Sequence, residues 1–284
     1  MSTKGVFSWM ELLAPLRGIR PLIAGIVNVT PDSFSDGRGH ISYSERISFA
    51  LHLLDEGADI LDLGGESTRP GAVEVPFEEE WNRLEPVIDG ILSSRPEACL
   101  SIDTRHAQTA QRALDAGARI INDVSGLQFD SAMSGVIAEW GAGVIITHST
   151  GIPEIMQSYA LTGPAAVETV RRDLQQILDR TFADKILPEQ IMLDAGIGFG
   201  KTREANFQLL KHAGELENVL GYPFCWGVSR KSLFKSNPDT LENRIASSLA
   251  AAVKLAEQNI ALLRVHDVSA TLSALAAASE IAGQ

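Results

Sequence analysis

Eight short runs of apolar, β-prone residues recur along the chain: PLIAGIV (21–27), ADILDLG (58–64), ACLSID (98–103), ARIIND (118–123), AGVIITH (142–148), QIMLDAG (190–196), PFCWGVS (223–229) and IALLRVHD (260–267). Between them lie stretches of helical spacing, clearest from Glu45 to Glu56 and from Ala107 to Ala116, each followed by a glycine. Continuous apolar strands alternating with amphipathic helices predict a parallel sheet covered by helices, and eight such units close a (β/α)₈ TIM barrel. A doubly wound open sheet is the alternative, but it would gather fewer strand ends at its switch point. The 284 residues are compatible with one barrel domain over 1–284, its core running from about 20 to 280.

Polar residues fall where each apolar run ends: Asn28, Asp62, Asp103, Asn122 with Asp123, His148, Asp194, Ser229 with Lys231, and Arg264 with His266. In a barrel those ends open onto one face, so residues scattered over the chain are expected to converge on one cavity.

Composition narrows the classes of function. A net charge of −12 argues against nucleic acid as a partner, because such binders need a basic face to displace counterions. No apolar run approaches the length that spans a bilayer, and the N-terminal residues lack the pattern of a signal peptide. Cys99 and Cys225 are far apart and lack zinc-like spacing, which fits small buried side chains in a reducing compartment. A cytoplasmic protein that engages neither membrane nor nucleic acid is expected.

Several segments carry candidate chemistry. NVTPDSFSDG (28–37) reads as a loop in which Asn28 offers an amide oxygen to a hard cation such as Mg²⁺, the remainder suiting a lid. In GGESTRPG (64–71), Thr68 supplies a hydroxyl and Arg69 a planar fork matched to phosphate or carboxylate. Asp103, Asn122 and Asp194 can together hold an amidine-like heterocycle through paired hydrogen bonds, the alternative being that each caps a helix. DAGIGFGK (194–201) lacks dinucleotide-fingerprint spacing, and its Phe199 could face a ring or fill core. SRKS (229–232) and RVHD (264–267) place Ser229, Arg230, Lys231, Ser232, Arg264 and His266 after the last two strands, where barrels often hold phosphate. The competing reading puts Arg230 and Arg264 in salt bridges on the outer face. Trp140 and Trp226 read as core, and Glu78, Glu79 and Glu80 as the solvated first turn of a helix.

Taken in order, NVTPDSFSDG, GGESTRPG, SIDTR, INDVSG, DAGIGFGK, SRKS and RVHD resemble the signature set of the dihydropteroate synthases, from Ala24 to about Ala270. The resemblance implies a transferase of folate synthesis that joins a pterin diphosphate to 4-aminobenzoate, uses Mg²⁺ and forms a homodimer. It implies a pterin site of Asp103, Asn122, Asp194, Phe199, Lys231 and Arg264, with Asp103, Asp194, Lys231 and Arg264 catalytic. It implies an aminobenzoate site of Phe34, Thr68, Arg69, Pro70, Ser229 and Ser232, and a diphosphate site of Asn28, Thr68, Arg69, Arg264 and His266, with Asn28 on the metal. Two places depart from the pattern: Thr147, His148 and Ser149 stand where many members have Met-His-Met, and Ala195 stands where proline is usual. Less apolar packing against the pterin and a looser turn are the expected consequences. A pterin-binding methyltransferase and a catalytically silent pterin binder are the rival readings.

Overall fold

The structure, a computed structural model, describes residues 5–30, 42–67, 72–151, 158, 160–235 and 238–283. Eight strands, β1 (Leu22–Asn28), β2 (Ile60–Gly64), β3 (Leu100–Asp103), β4 (Ile120–Asp123), β5 (Gly143–Thr147), β6 (Ile191–Asp194), β7 (Phe224–Gly227) and β8 (Leu262–Val265), form a closed barrel in sequence order. Every neighbouring pair is parallel, and β1 closes the ring against β8. The open-sheet alternative is thereby excluded.

A short helix α1 (Trp9–Leu13) precedes the barrel, and α2 (Tyr43–Asp55), α3 (Phe77–Ser94), α4 (Ala107–Ala116), α5 (Met133–Trp140) and α6 (Ala165–Ala183) follow β1 to β5 in turn. The pair α7 (Arg203–Lys211) and α8 (Ala213–Leu220) follows β6, with α9 (Leu241–Ala256) and α10 (Val268–Ala282) completing the ring. The predicted helix over 107–116 is observed over those residues, ending where Gly117 takes φ 119°. The one predicted from Glu45 starts at Tyr43 instead, because Ser42 and Glu45 form a reciprocal capping box.

Alternation along each strand divides the apolar residues into two sets. Ile23, Val27, Leu61, Leu63, Ile102, Ile121, Val144, Leu193, Trp226 and Leu263 join the helices in one cluster outside the barrel. Leu22, Ala24, Ile60, Cys99, Ile120, Ile145, Met192, Cys225 and Leu262 form a second cluster in the lumen. Phe7 and Trp9 plug its amino-terminal end, their rings edge to face at 5.1 Å, and the Trp9 indole donates to the Gln190 carbonyl at 2.9 Å. Beyond this apolar floor the lumen positions of the same strands turn polar, as in Ile60, Asp62 and Gly64 along β2.

Both cysteines and Trp226 are buried as expected, while Trp140 is only partly buried against the outer cluster. One expectation is corrected. Glu80 does lie in the first turn of α3, but it is fully buried rather than solvated, accepting from the Thr104 hydroxyl at 2.8 Å. No described helix is long and apolar enough to cross a membrane.

Candidate active site

The polar layer above the apolar floor is organised by Arg264. Its Nε donates to Asp62 at 2.5 Å and its Nη2 to Asp103 at 2.8 Å, so one guanidinium bridges β2, β3 and β8. Burial opposes the charge on Arg264, but Asp62 and Asp103 more than offset this and hold its pKa above the ordinary value. Asp62 also accepts from the Ser101 hydroxyl at 2.6 Å and from the Asn122 amide at 3.3 and 3.4 Å. Asp103 and Asn122 lie directly opposite each other in the register of β3 and β4. Among the described residues, Asp103 Oδ1 and Asn122 Oδ1 are buried without a hydrogen-bond partner. Burial, with Asp62, Glu80 and Asp123 nearby, pushes the Asp103 carboxyl above the usual carboxylate range, while the Arg264 guanidinium bonded to it at 2.8 Å favours the ionised form.

The segment after β6 forms the opposite wall. Asp194 accepts from the Gly196 amide at 2.6 Å, and burial raises its pKa. Gly196, Gly198 and Gly200 all have left-handed φ values, and the turns they permit aim carbonyls at two lysines. Lys201 Nζ reaches the Gly196 and Phe199 carbonyls, each at 2.9 Å, and His148 Nδ1 at 3.0 Å. Lys231 Nζ donates to the Ile197 carbonyl at 2.7 Å and stands 4.9 Å from the centre of the Phe199 ring. Burial lowers both ammonium groups, Lys201 to about 7 and Lys231 to about 8. Burial, with Lys201 beside it, lowers His148 to about 4. The neutral imidazole therefore accepts from Lys201 and turns Nε2–H toward Asp173, 3.3 Å away. Ala195 itself is buried, and the Asp194 and Lys201 bonds hold the residues that follow it.

At the rim, the hydroxyl of Ser229 accepts from the His266 amide at 3.1 Å and lies 3.0 Å from His266 Nδ1. Burial, then Arg230 and Arg264, lower His266 to about 3, which leaves it neutral. The two arginines part company: Arg230 is held by Asp267 at 3.0 and 2.5 Å, whereas Arg264 lies in the barrel mouth. Ser232 opens a short 3₁₀ turn and is exposed. Asn28 ends β1 half-buried, its carbonyl accepting from Arg46 at 2.7 Å. Among the described residues no group of three His, Cys, Asp or Glu side chains could hold a metal. Phe34, Thr68, Arg69 and Pro70 lie outside the described residues.

Asp103, Asn122, Asp194, Phe199, Lys231 and Arg264 thus come together from five strand ends, and none of the three candidate caps serves a helix. Asp62 and Lys201 hold this arrangement and Arg46 holds the end of β1; the sequence places Asp62 at a strand end facing the cavity but assigns none of the three a role in the site. For Asp62 the signal was present, as a carboxylate inside the apolar run ILDLG. The mouth offers acceptors on one side and an ammonium on the other, suited to a flat heterocycle carrying both N–H donors and a carbonyl.

Comparison with known proteins agrees with this geometry. A family described as Pterin binding enzyme matches residues 24–266. The chain is 40% identical over 256 residues to a dihydropteroate synthase of Synechocystis sp., covering 89% of this chain and 87% of that protein. It is 38% identical over 253 residues to a probable bifunctional folylpolyglutamate synthase/dihydropteroate synthase of Haloferax volcanii, covering 89% of this chain but only 30% of that longer protein. Among solved structures, a Xanthomonas albilineans dihydropteroate synthase with 4-aminobenzoic acid superposes with TM-score 0.85 at 38% identity, covering 94% of each chain. One from Anaplasma phagocytophilum with bound 6-hydroxymethylpterin-monophosphate gives 0.83 at 35% identity, covering 93% of this chain and all (100%) of that one.

Proposed function

Because this chain belongs to the dihydropteroate synthases of the pterin-binding enzyme family, we propose that it condenses 7,8-dihydropterin-6-ylmethyl diphosphate with 4-aminobenzoate, giving 7,8-dihydropteroate and diphosphate. The observation that carries the reading is the pair of buried, unpartnered acceptors, Asp103 Oδ1 and Asn122 Oδ1, side by side on β3 and β4 in the polar layer whose charges also act on Lys231. Buried acceptors left open are costly unless a ligand satisfies them, and the 2-amino and ring N–H groups of a pterin are suitable donors. Asp194 completes the acceptor set, Lys231 reaches the oxo edge, and Phe199 lies against a ring face.

The methylene–oxygen bond breaks first, and diphosphate leaves with the bonding electrons. The ring carries the resulting positive charge, which Asp103 offsets, while Arg264 and Arg69 take up charge on the departing diphosphate. The amine lone pair of 4-aminobenzoate then forms the C–N bond and the nitrogen sheds its proton to water. An arylamine is nucleophilic when neutral, so no dedicated base is required, and His266, held beside Ser229, faces the departing diphosphate. Thr68, Pro70, Phe34, Ser229 and Ser232 shape the aminobenzoate end.

A lone amide oxygen at Asn28, with no acidic cluster among the described residues, fits an ion held mainly through substrate phosphate. Asn28 would hold Mg²⁺, which when bound neutralises charge on the leaving group. The protein acts in the cytoplasm as a homodimer.

Diphosphate release from the pterin substrate with Mg²⁺, measured with and without 4-aminobenzoate, tests the reading. Release coupled to dihydropteroate formation supports it, and pterin binding without turnover points to a silent binder or a methyltransferase. Asp103→Asn should lower kcat/KM per folded molecule by about a hundredfold or more; near-normal turnover would remove Asp103 from the chemistry.

A further inference from the structure

Asp62 touches three residues of the polar layer, yet nothing in the reaction requires it. It is fully buried, and its two oxygens receive Ser101 Oγ at 2.6 Å, Arg264 Nε at 2.5 Å and Asn122 Nδ2 at 3.3 and 3.4 Å. An amide side chain has a donating end and an accepting end, and either could face a ligand. A carboxylate can only accept, so it draws the Asn122 nitrogen inward and turns the oxygen away. In the same manner Arg264 spends Nε on Asp62, which brings Nη2 onto Asp103 Oδ2 and leaves Asp103 Oδ1 open.

We propose that Asp62 is the specificity-determining residue of the pocket: by holding Asn122 and Arg264 it presents Asn122 Oδ1 and Asp103 Oδ1 to the ligand as acceptors. The floor then selects a fused heterocycle with adjacent N–H and NH₂ donors and rejects the counterpart with a carbonyl at the amino position. This rests on the pterin reading given above and extends it to a residue that touches no substrate.

The discrimination arises from two unlike consequences. A 2-amino ring satisfies both open acceptors, whereas a 2-oxo ring sets its own oxygen against them, leaving buried acceptors facing each other without protons between. With an amide at position 62, the carboxylate no longer dictates which end of Asn122 turns inward, and Asn122 can rotate to donate to a 2-oxo ligand.

The test is a ratio of affinities. Intact protein and Asp62→Asn are titrated calorimetrically with 6-hydroxymethylpterin and with its 2-oxo analogue, 6-hydroxymethyllumazine. The unaltered protein should prefer the amino compound by at least about a hundredfold, as sites built to pair with a donor do. In D62N the preference should shrink at least about tenfold, through gain of the oxo compound as well as loss of the amino one. The double variant D62N/N122D restores an acceptor-only group at position 122 and should recover the preference. An altered stability alone would not change the ratio. If D62N kept the original ratio, the role of Asp62 would be overturned while the pterin site stood. If the unaltered protein bound neither compound, the pterin reading itself would fall, and this inference with it. Should D62N not fold, Asp62→Ser serves in its place, since a hydroxyl can donate as well as accept and no longer dictates the orientation of Asn122: the preference should shrink in the same way, and a retained ratio overturns the inference.

Discussion

Burial pushes the Glu80 carboxyl up to about 7, although hydrogen bonds from its neighbours draw it down. Between the ordinary carboxylate value near 4.5 and about 7, folded Glu80 keeps a proton that the unfolded chain has lost. A native state that binds more protons loses stability as pH rises, so this residue contributes a falling slope across that window. Glu80→Gln should remove up to about 3 kcal/mol of that pH dependence, read as the difference between urea midpoints of variant and unaltered protein from pH 4.5 to 7.5. An unchanged slope would place the proton elsewhere. At this scale the sequence was only partly legible. Asp103, Asn122, Asp194, Lys231 and Arg264 could be named because each follows an apolar run, but Glu80 was misread as solvated. Helix-start acids look alike in sequence whether they face water or, as here, a threonine on the next strand end.

Among the elements, the segment after β6 shows most clearly how local geometry serves the site. Gly196 has φ +67°, and a Cβ there would stand 1.8 Å from the His148 carbonyl oxygen. Gly196→Ala should cost at least about 2 kcal/mol, from left-handed strain and the displaced His148 carbonyl. Pterin affinity should fall with it, because the same displacement moves the Lys201 bonds that hold Phe199; chemical denaturation and pterin titration check the two effects separately. The glycines of GIGFG announced a turn, and the pattern excluded a dinucleotide loop. That the turn wraps a buried ammonium was not legible, since Lys201 meets His148 from 53 positions away. The capping box of α2, by contrast, lies wholly within four residues and could have been read directly.

Across the whole molecule, stability and chemistry occupy opposite ends of one lumen. The amino-terminal end is sealed by Phe7 and Trp9 over an apolar layer, and the carboxyl-terminal end carries every described candidate residue. Trp9→Ala should therefore cost about 3–5 kcal/mol through the cavity and the lost indole bond. Its kcat/KM per folded molecule should change by less than about twofold; a large kinetic loss would show that the two ends are coupled. The sequence alone determined the barrel and its polar mouth, because eight apolar runs ending in polar residues are a local pattern with one economical closure. It also determined the family, through motifs that each lie within one loop. Only the tertiary structure decided which charges meet: Arg264 joins Asp62 and Asp103 across 202 and 161 positions, while Arg230, one residue before Lys231, is taken by Asp267. Pairing at that range follows from barrel register and closure, which bring strand ends together irrespective of their separation along the chain.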